Sequence, residues 1–156
     1  MTWTDLAPSG LHVPDDTAGL VWGWRTVHPD MSSRCNFVWP LPGNWAVSDH
    51  NICAGNRSPC PRRPGDGLCV AKTWNGSAQG GIPAGTILIV AVRPDDILGE
   101  DEIKLRARRV WVGGVTSATS VLSHAPGADL ARANLAGADL AGADLAGADL
   151  YEANLT

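Results

Sequence analysis

The stretch GADLA RANLA GADLA GADLA GADLY EANLT, Gly127 to Thr156, decides how this chain is built. A leucine recurs every five residues: Leu130, Leu135, Leu140, Leu145, Leu150 and Leu155. An alanine stands two places before each, with Asp or Asn between them. A helix needs apolar residues at a spacing of about 3.6 and a half-buried strand at about 2. A period of five fits neither. Wound on a helix, these leucines would precess around the whole surface, and the glycines would weaken it further. A fixed short period is the signature of a solenoid, in which each repeat is one structural unit and stacking buries the core. A frayed Gly/Ala-rich tail is the alternative.

The motif A(D/N)LXX over these residues resembles the pentapeptide-repeat family. The resemblance implies a right-handed quadrilateral β-helix with one pentapeptide per side, leucine and alanine pointing inward. Six repeats then make a stub of about one and a half coils. Residues twenty apart should stack: Leu130 under Leu150, Leu135 under Leu155, Asp129 near Asp149, and Asn134 near Asn154. Rungs lie about 4.8 Å apart, so the stub is too short to close a core of its own. The last leucine is followed by Thr156 alone, and an uncapped rung exposes Leu150, Tyr151 and Leu155 to pairing. The stub is expected to pack on the preceding domain, on a partner protein or on a second copy of itself.

The chain has 156 residues, enough for one domain of ordinary size with a real core plus this tail. Charge is segregated. Up to His124 there are eleven basic and eleven acidic residues, and the repeats carry Asp129, Asp139, Asp144, Asp149 and Glu152 against Arg132, the whole net charge of −4. No basic footprint for nucleic acid is present, so no direct nucleic-acid binding is expected. The opening MTWTDLAPSG lacks a basic region followed by an apolar core, so no signal peptide is expected. The run Ile87 to Val92 is too short to cross a membrane. A soluble protein, in the host cytoplasm or a virion, is the expectation.

Ahead of the repeats the fold class reads as mainly β, a small β-rich (α+β) domain. Residues 1–19 form an irregular lead-in rich in turn formers. The β-rich, tryptophan-containing domain spans 20–112, and 113–126 is a linker or degenerate repeats. Strands are predicted over Leu20 to Val27, with Trp22 and Trp24 on one face, and over Gly67 to Trp74. Thr86 to Val92 is continuously apolar and reads as a central strand buried on both faces. Ile103 to Val112 reads as the last strand, with a bulge near Arg108 and Arg109. Pro94 to Gly99 suits one helical turn. Residues 28–66 form a long irregular segment with many prolines. Trp39 and Trp45 within it suggest a recognition surface, or else a cover for the core edge.

The pieces VWGWRTVHPDMSS, GDGLCVAKTW, TILIVAV and DEIKLRARRVWV resemble an uncharacterised domain of actinobacterial and bacteriophage proteins that often precedes pentapeptide repeats. The resemblance supplies no catalytic residues. It implies a phage or actinobacterial setting.

Three constellations could carry chemistry. Cys35, Cys53, Cys60 and Cys69, with His50 nearby, could bind zinc, but their gaps of 18, 7 and 9 lack the paired short spacing of a structural site. A Cys60–Cys69 disulfide or plain thiols are the alternatives, with Cys69 in a strand facing the core. Lys104, Arg106 and Arg108 could form an anion site, or a solvated strand face balanced by Asp95, Asp96, Glu100, Asp101 and Glu102. An enzyme needs an acid–base or nucleophile set in a cleft, and no motif joins His28, His50 and the scattered acids. The expected function is therefore a non-enzymatic structural or interaction module, in a phage a capsid or tail component, docking through its repeats. A DNA-mimicking inhibitor of DNA gyrase, as some pentapeptide proteins are, and a small enzyme with a nucleotide pocket are the alternatives.

Overall fold

The computed structural model describes residues 2–33, 36–48, 67–79, 81–124 and 128–156. Among these the fold is mainly β. Seven strands are present: β1 (Val21–Val27), β2 (Asn44–Val47), β3 (Leu68–Ala71), β4 (Thr86–Val92), β5 (Ile97–Glu100), β6 (Lys104–Ala107) and β7 (Arg109–Thr116). They form one antiparallel sheet in the order β2-β7-β4-β1-β3-β6-β5. Two short helices accompany it, α1 (Trp74–Ala78) and α2 (Ala118–His124).

Arg108 alone links β6 to β7, yet three strands stand between these two in the sheet. Two residues of extended chain span at most about 7 Å, whereas a flat sheet would separate the strands by about 19 Å. The sheet must therefore curl around until its two halves meet at Arg108. This corrects the single strand predicted from Ile103 to Val112. The break falls where the bulge was expected, and each half has its own neighbours. The curl makes an inner face of Val27, Leu68, Val70, Leu88, Val90 and Leu105 with their apolar neighbours. The outer face carries Trp24, Ala71, Ile87 and Ile89. Strand β4 feeds both cores, and its six residues from Ile87 to Val92 are all buried. That is why its sequence is continuously apolar.

The outer face is covered from three directions. The lead-in has no regular structure, yet Leu6 and Ala7 are buried in the outer core and Trp3 packs against it. Residues 113–124 are not a linker. Strand β7 continues through Gly113 and Gly114 to Thr116, and α2 adds Ala118, Val121 and Leu122 to the same core. The predicted strand from Gly67 to Trp74 ends at Ala71. The Thr73 hydroxyl accepts the Gly76 N–H at 3.0 Å and starts α1 in its place. The helical turn expected over Pro94 to Gly99 is a single 3-10 turn, Pro94–Asp96, running into β5.

The third cover is the repeat segment. Leu130, Ala133 and Leu135 are buried in the core formed with Trp24, Ile87 and Ile89. The stub thus packs on its own domain. Its chain returns on itself after twenty residues through parallel bridges Asp129↔Asp149 and Asn134↔Asn154. Leu130 N–H donates to Asp149 O and Leu135 N–H to Asn154 O, both at 2.8 Å.

Candidate functional site

The repeats build their corners from local chemistry. In each of the six pentapeptides the Asp or Asn side chain accepts the backbone N–H two residues on. The distances run from 2.9 Å at Asp139 to 3.3 Å at Asn134. The alanine N–H then donates to the leucine carbonyl three residues back, as Ala138 does to Leu135 at 2.9 Å. These are Asx turns fused to β-turns. The third turn position has positive φ, where a side chain is strained. Gly137, Gly142 and Gly147 occupy it in the middle repeats, with Arg132 (φ 60°) and Glu152 (φ 56°) at the ends. So the Asp/Asn ladder has a structural duty in addition to its charge.

The domain caps the start of the coil. The backbone of Asn134 donates to Ala78 O and accepts from Ala84 N, both at 2.8 Å. Asn75 Nδ2 donates to Asp129 O at 2.9 Å, and Gln79 Nε2 to Ala131 O at 3.1 Å. The Thr119 hydroxyl donates to the carbonyl of Asp139, tying α2 to the side of the coil. At the second rung Leu150 is half-buried, while Tyr151 and Leu155 are 63% and 50% exposed. The three predicted contact residues of the repeats therefore stand on the rung away from the domain.

Six of the seven tryptophans gather on the outer face. Trp74 meets Trp24, which meets Trp3, which stacks on Trp22 at 5.9 Å. Across Ala91 from Trp22, Trp111 packs edge-on against Trp45 at 5.4 Å. Trp39 is the exception and corrects the prediction of a recognition role. It is 2% exposed, sits in the inner core, and donates from Nε1 to Ser33 Oγ at 3.0 Å. Arg25 lies over its ring at 5.5 Å. Trp45 is half-buried on strand β2, which the long irregular segment was not predicted to contain. Arg93 and Arg109 lie over its ring at 4.9 and 4.6 Å. No local signal marks this cluster, because it exists only once β2 and β7 pair.

The expected anion strand is not a solvated face. Lys104 is half-buried, Arg108 is exposed in the β6–β7 link, and Arg106 is 2% exposed, opposite Cys69 in the sheet. Leu105 and Ala107 point inward, and the other side of β6, where Arg106 stands, is covered as well. Cys69 is half-buried in β3 on the face opposite Leu68 and Val70, so it does not point into the inner core. Cys35, His50, Cys53 and Cys60 lie outside the described residues. Among the described residues no three His, Cys, Asp or Glu side chains come together as a metal site would need. A cleft of about 240 Å³ lies where Val27, His28 and Pro29 face Pro83, Thr86 and Gly137. Its lining is apolar apart from His28 and Thr86, a poor match to a nucleotide. Among the described residues no helix is long and apolar enough to cross a membrane.

Residues 127–156 match the family model described as pentapeptide repeats (8 copies), and this part of the chain is a pentapeptide-repeat segment. No curated protein and no solved structure matches the chain.

Proposed function

We propose that this protein is a non-enzymatic interaction module. Its curled sheet grips the base of a short right-handed, four-sided pentapeptide coil and offers the far rung to a protein partner or a second copy. One observation carries this reading. Leu130, Ala133 and Leu135 are buried in the domain core, while Tyr151 and Leu155 on the next rung are 63% and 50% exposed. A rigid mount with apolar side chains on its outer rung loses little entropy when a partner docks. The front domain's resemblance supports a virion setting, as a soluble component of a phage capsid or tail.

Light scattering on the full chain and on a Tyr151→Ser/Leu155→Asn variant tests the proposal. The wild type is expected to be a defined oligomer and the variant a monomer. Equal masses at every concentration would rule out a second copy as the occupant of the rung. Cutting the chain after His124 is not a usable control, because it strips Leu130 and Leu135 from the core shared with Ile87 and Ile89.

A further inference from the structure

Trp45 holds two cations. The guanidinium carbons of Arg93 and Arg109 lie 4.9 and 4.6 Å from its ring centroid, so they stand within about 10 Å of each other. Neither arginine makes an ion pair among the described residues, although Asp95 and Asp96 lie two and three residues after Arg93 in sequence. The Nε of Arg93 is buried with no hydrogen-bond partner among them. Stacking on an indole fixes the guanidinium planes and leaves N–H groups to take an anion. The matching chemistry is a carboxylate, whose oxygen accepts guanidinium N–H groups in charge-assisted hydrogen bonds.

The chain also carries the complementary surface. Asp129 and Asp149 are exposed one above the other on one side of the coil, Asp139 and Asp144 are exposed on other sides, and the coil's one cation, Arg132, is taken by Glu152 at 3.0 Å. Asp129 and Asp149 sit on neighbouring rungs of a parallel bridge. Like charges about 4.8 Å apart repel. Each spends Oδ1 on a turn N–H, leaving Oδ2 for another donor. The two surfaces of one chain do not meet. The coil bonds to Ala84 just before β4, and Arg93 follows the end of that seven-residue strand, about 23 Å along it.

We propose that the Arg93–Trp45–Arg109 cluster receives the acidic side of the coil of a second copy. This rests on the reading of the protein as an assembly module and names the partner. Apolar surface matches as well. Val47 lies two residues along β2 from Trp45 and is 55% exposed, and Tyr151 stands two residues from Asp149. Arg, Trp and Tyr are the side chains that dominate interface energetics. Donor and receptor surfaces differ, so the contact is heterologous and propagates head to tail into a ring or an open chain.

The test uses two full-length variants. Arg93→Gln/Arg109→Gln removes the receptor. Asp129→Asn/Asp149→Asn removes the acids of that side but keeps the turns, since the repeats already use Asn at 134 and 154. Thermal melts establish that both variants fold. Sedimentation velocity at low salt should show each variant alone self-associating about tenfold more weakly than wild type, as loss of two half-exposed charge pairs implies. Mixed one to one, the variants should form a heterodimer and stop there, because each supplies the surface the other lacks. High salt should abolish the contact. Wild-type association in the arginine variant overturns the proposal, as does a mixture with no heterodimer. A monomeric wild type that binds a single-stranded oligonucleotide through these arginines overturns it too. If the arginine variant assembles normally while Tyr151→Ser/Leu155→Asn does not, only this proposal fails and the assembly reading stands.

Discussion

Arg132 and Glu152 lie one coil apart, and Arg132 Nε donates to Glu152 Oε2 at 3.0 Å. Both occupy the turn position with positive φ where the three repeats between them place glycine. The left-handed conformation costs a non-glycine residue roughly 1–2 kcal/mol. An ion pair whose side chains are 68% and 53% exposed returns about 0–1 kcal/mol. Strain outweighs the pair. Replacing both residues by glycine should therefore raise stability by about 1 kcal/mol, after the extra freedom glycine adds to the unfolded chain. Urea denaturation of the double variant reads this. A loss of stability would mean the ion pair organises the coil more strongly than its exposure allows.

The aspartates of the ladder separate charge from turn formation. Asp144→Asn keeps an oxygen for the Ala146 N–H, now accepted at 2.9 Å, and should be neutral within about 0.5 kcal/mol. Asp144→Ala removes the acceptor and should cost about 0.5–1.5 kcal/mol. A ranking in which Asn and Ala are equally costly would show that charge, not the turn, is what the position supplies.

The coil and the sheet should unfold together. Leu135 is fully buried in the core shared with Ile87 and Ile89, so Leu135→Ala should cost about 2–5 kcal/mol. Leu145, half-buried farther round the coil, should cost clearly less. Tryptophan fluorescence follows the sheet and far-ultraviolet circular dichroism the whole chain. One coincident transition is expected in the wild type and in Leu135→Ala. Two separated transitions would mean the repeats form an independent unit.

These couplings explain which parts of the molecule could be read in advance. The leucine period and the apolar run of β4 were legible, because each is a pattern within one segment. The stacking of Asp129 on Asp149 followed from the twenty-residue coil that the pentapeptide resemblance implies. The rest depends on contacts between distant segments. Strand β2 is four residues long with only Ala46 buried, so it has almost no pattern of its own. Gly113 and Gly114 look like a linker, yet they extend β7 where Trp22, Leu11 and Ala7 crowd the space a side chain would take. Arg106 looks solvated by alternation and is buried because the curled sheet is covered on both faces. The Asx turns could have been found in advance, since Asp or Asn two residues before a turn is a local signal.

Asp101 gives the fold a pH dependence at the β5–β6 turn. Its Oδ1 accepts the Lys104 N–H at 2.7 Å and the Ile103 N–H at 2.8 Å. The bond from Lys104, against a smaller opposing effect of burial, and then that from Ile103 hold its carboxyl below the usual carboxylate value. A lowered value means the contribution is complete above the unfolded pKa of about 3.9 and fades as pH falls through the native one. Asp101→Asn should therefore be less stable than wild type at neutral pH, with the gap narrowing as pH drops below about 4. Denaturant midpoints across that range measure it, and a gap independent of pH would assign the effect to geometry alone.

Gly23 marks a close approach of β1 to β3. It lies in β1 beside Trp24, which pairs with Ala71 of β3. A Cβ at this position would stand 2.5 Å from Ala71 O and 2.8 Å from a Val70 methyl. Backbone cannot yield as a flexible side-chain tip can, so Gly23→Ala should cost about 1–3 kcal/mol by forcing β1 and β3 apart. Gly85, just before β4, is the control, because a Cβ there meets nothing within 4 Å and the backbone φ is not positive. Gly85→Ala should be neutral or stabilising by about 0.4–1 kcal/mol through the unfolded chain. Both are read from urea denaturation followed by tryptophan fluorescence. Equal effects of the two substitutions would mean that β1 and β3 do not close the sheet as tightly as this approach requires.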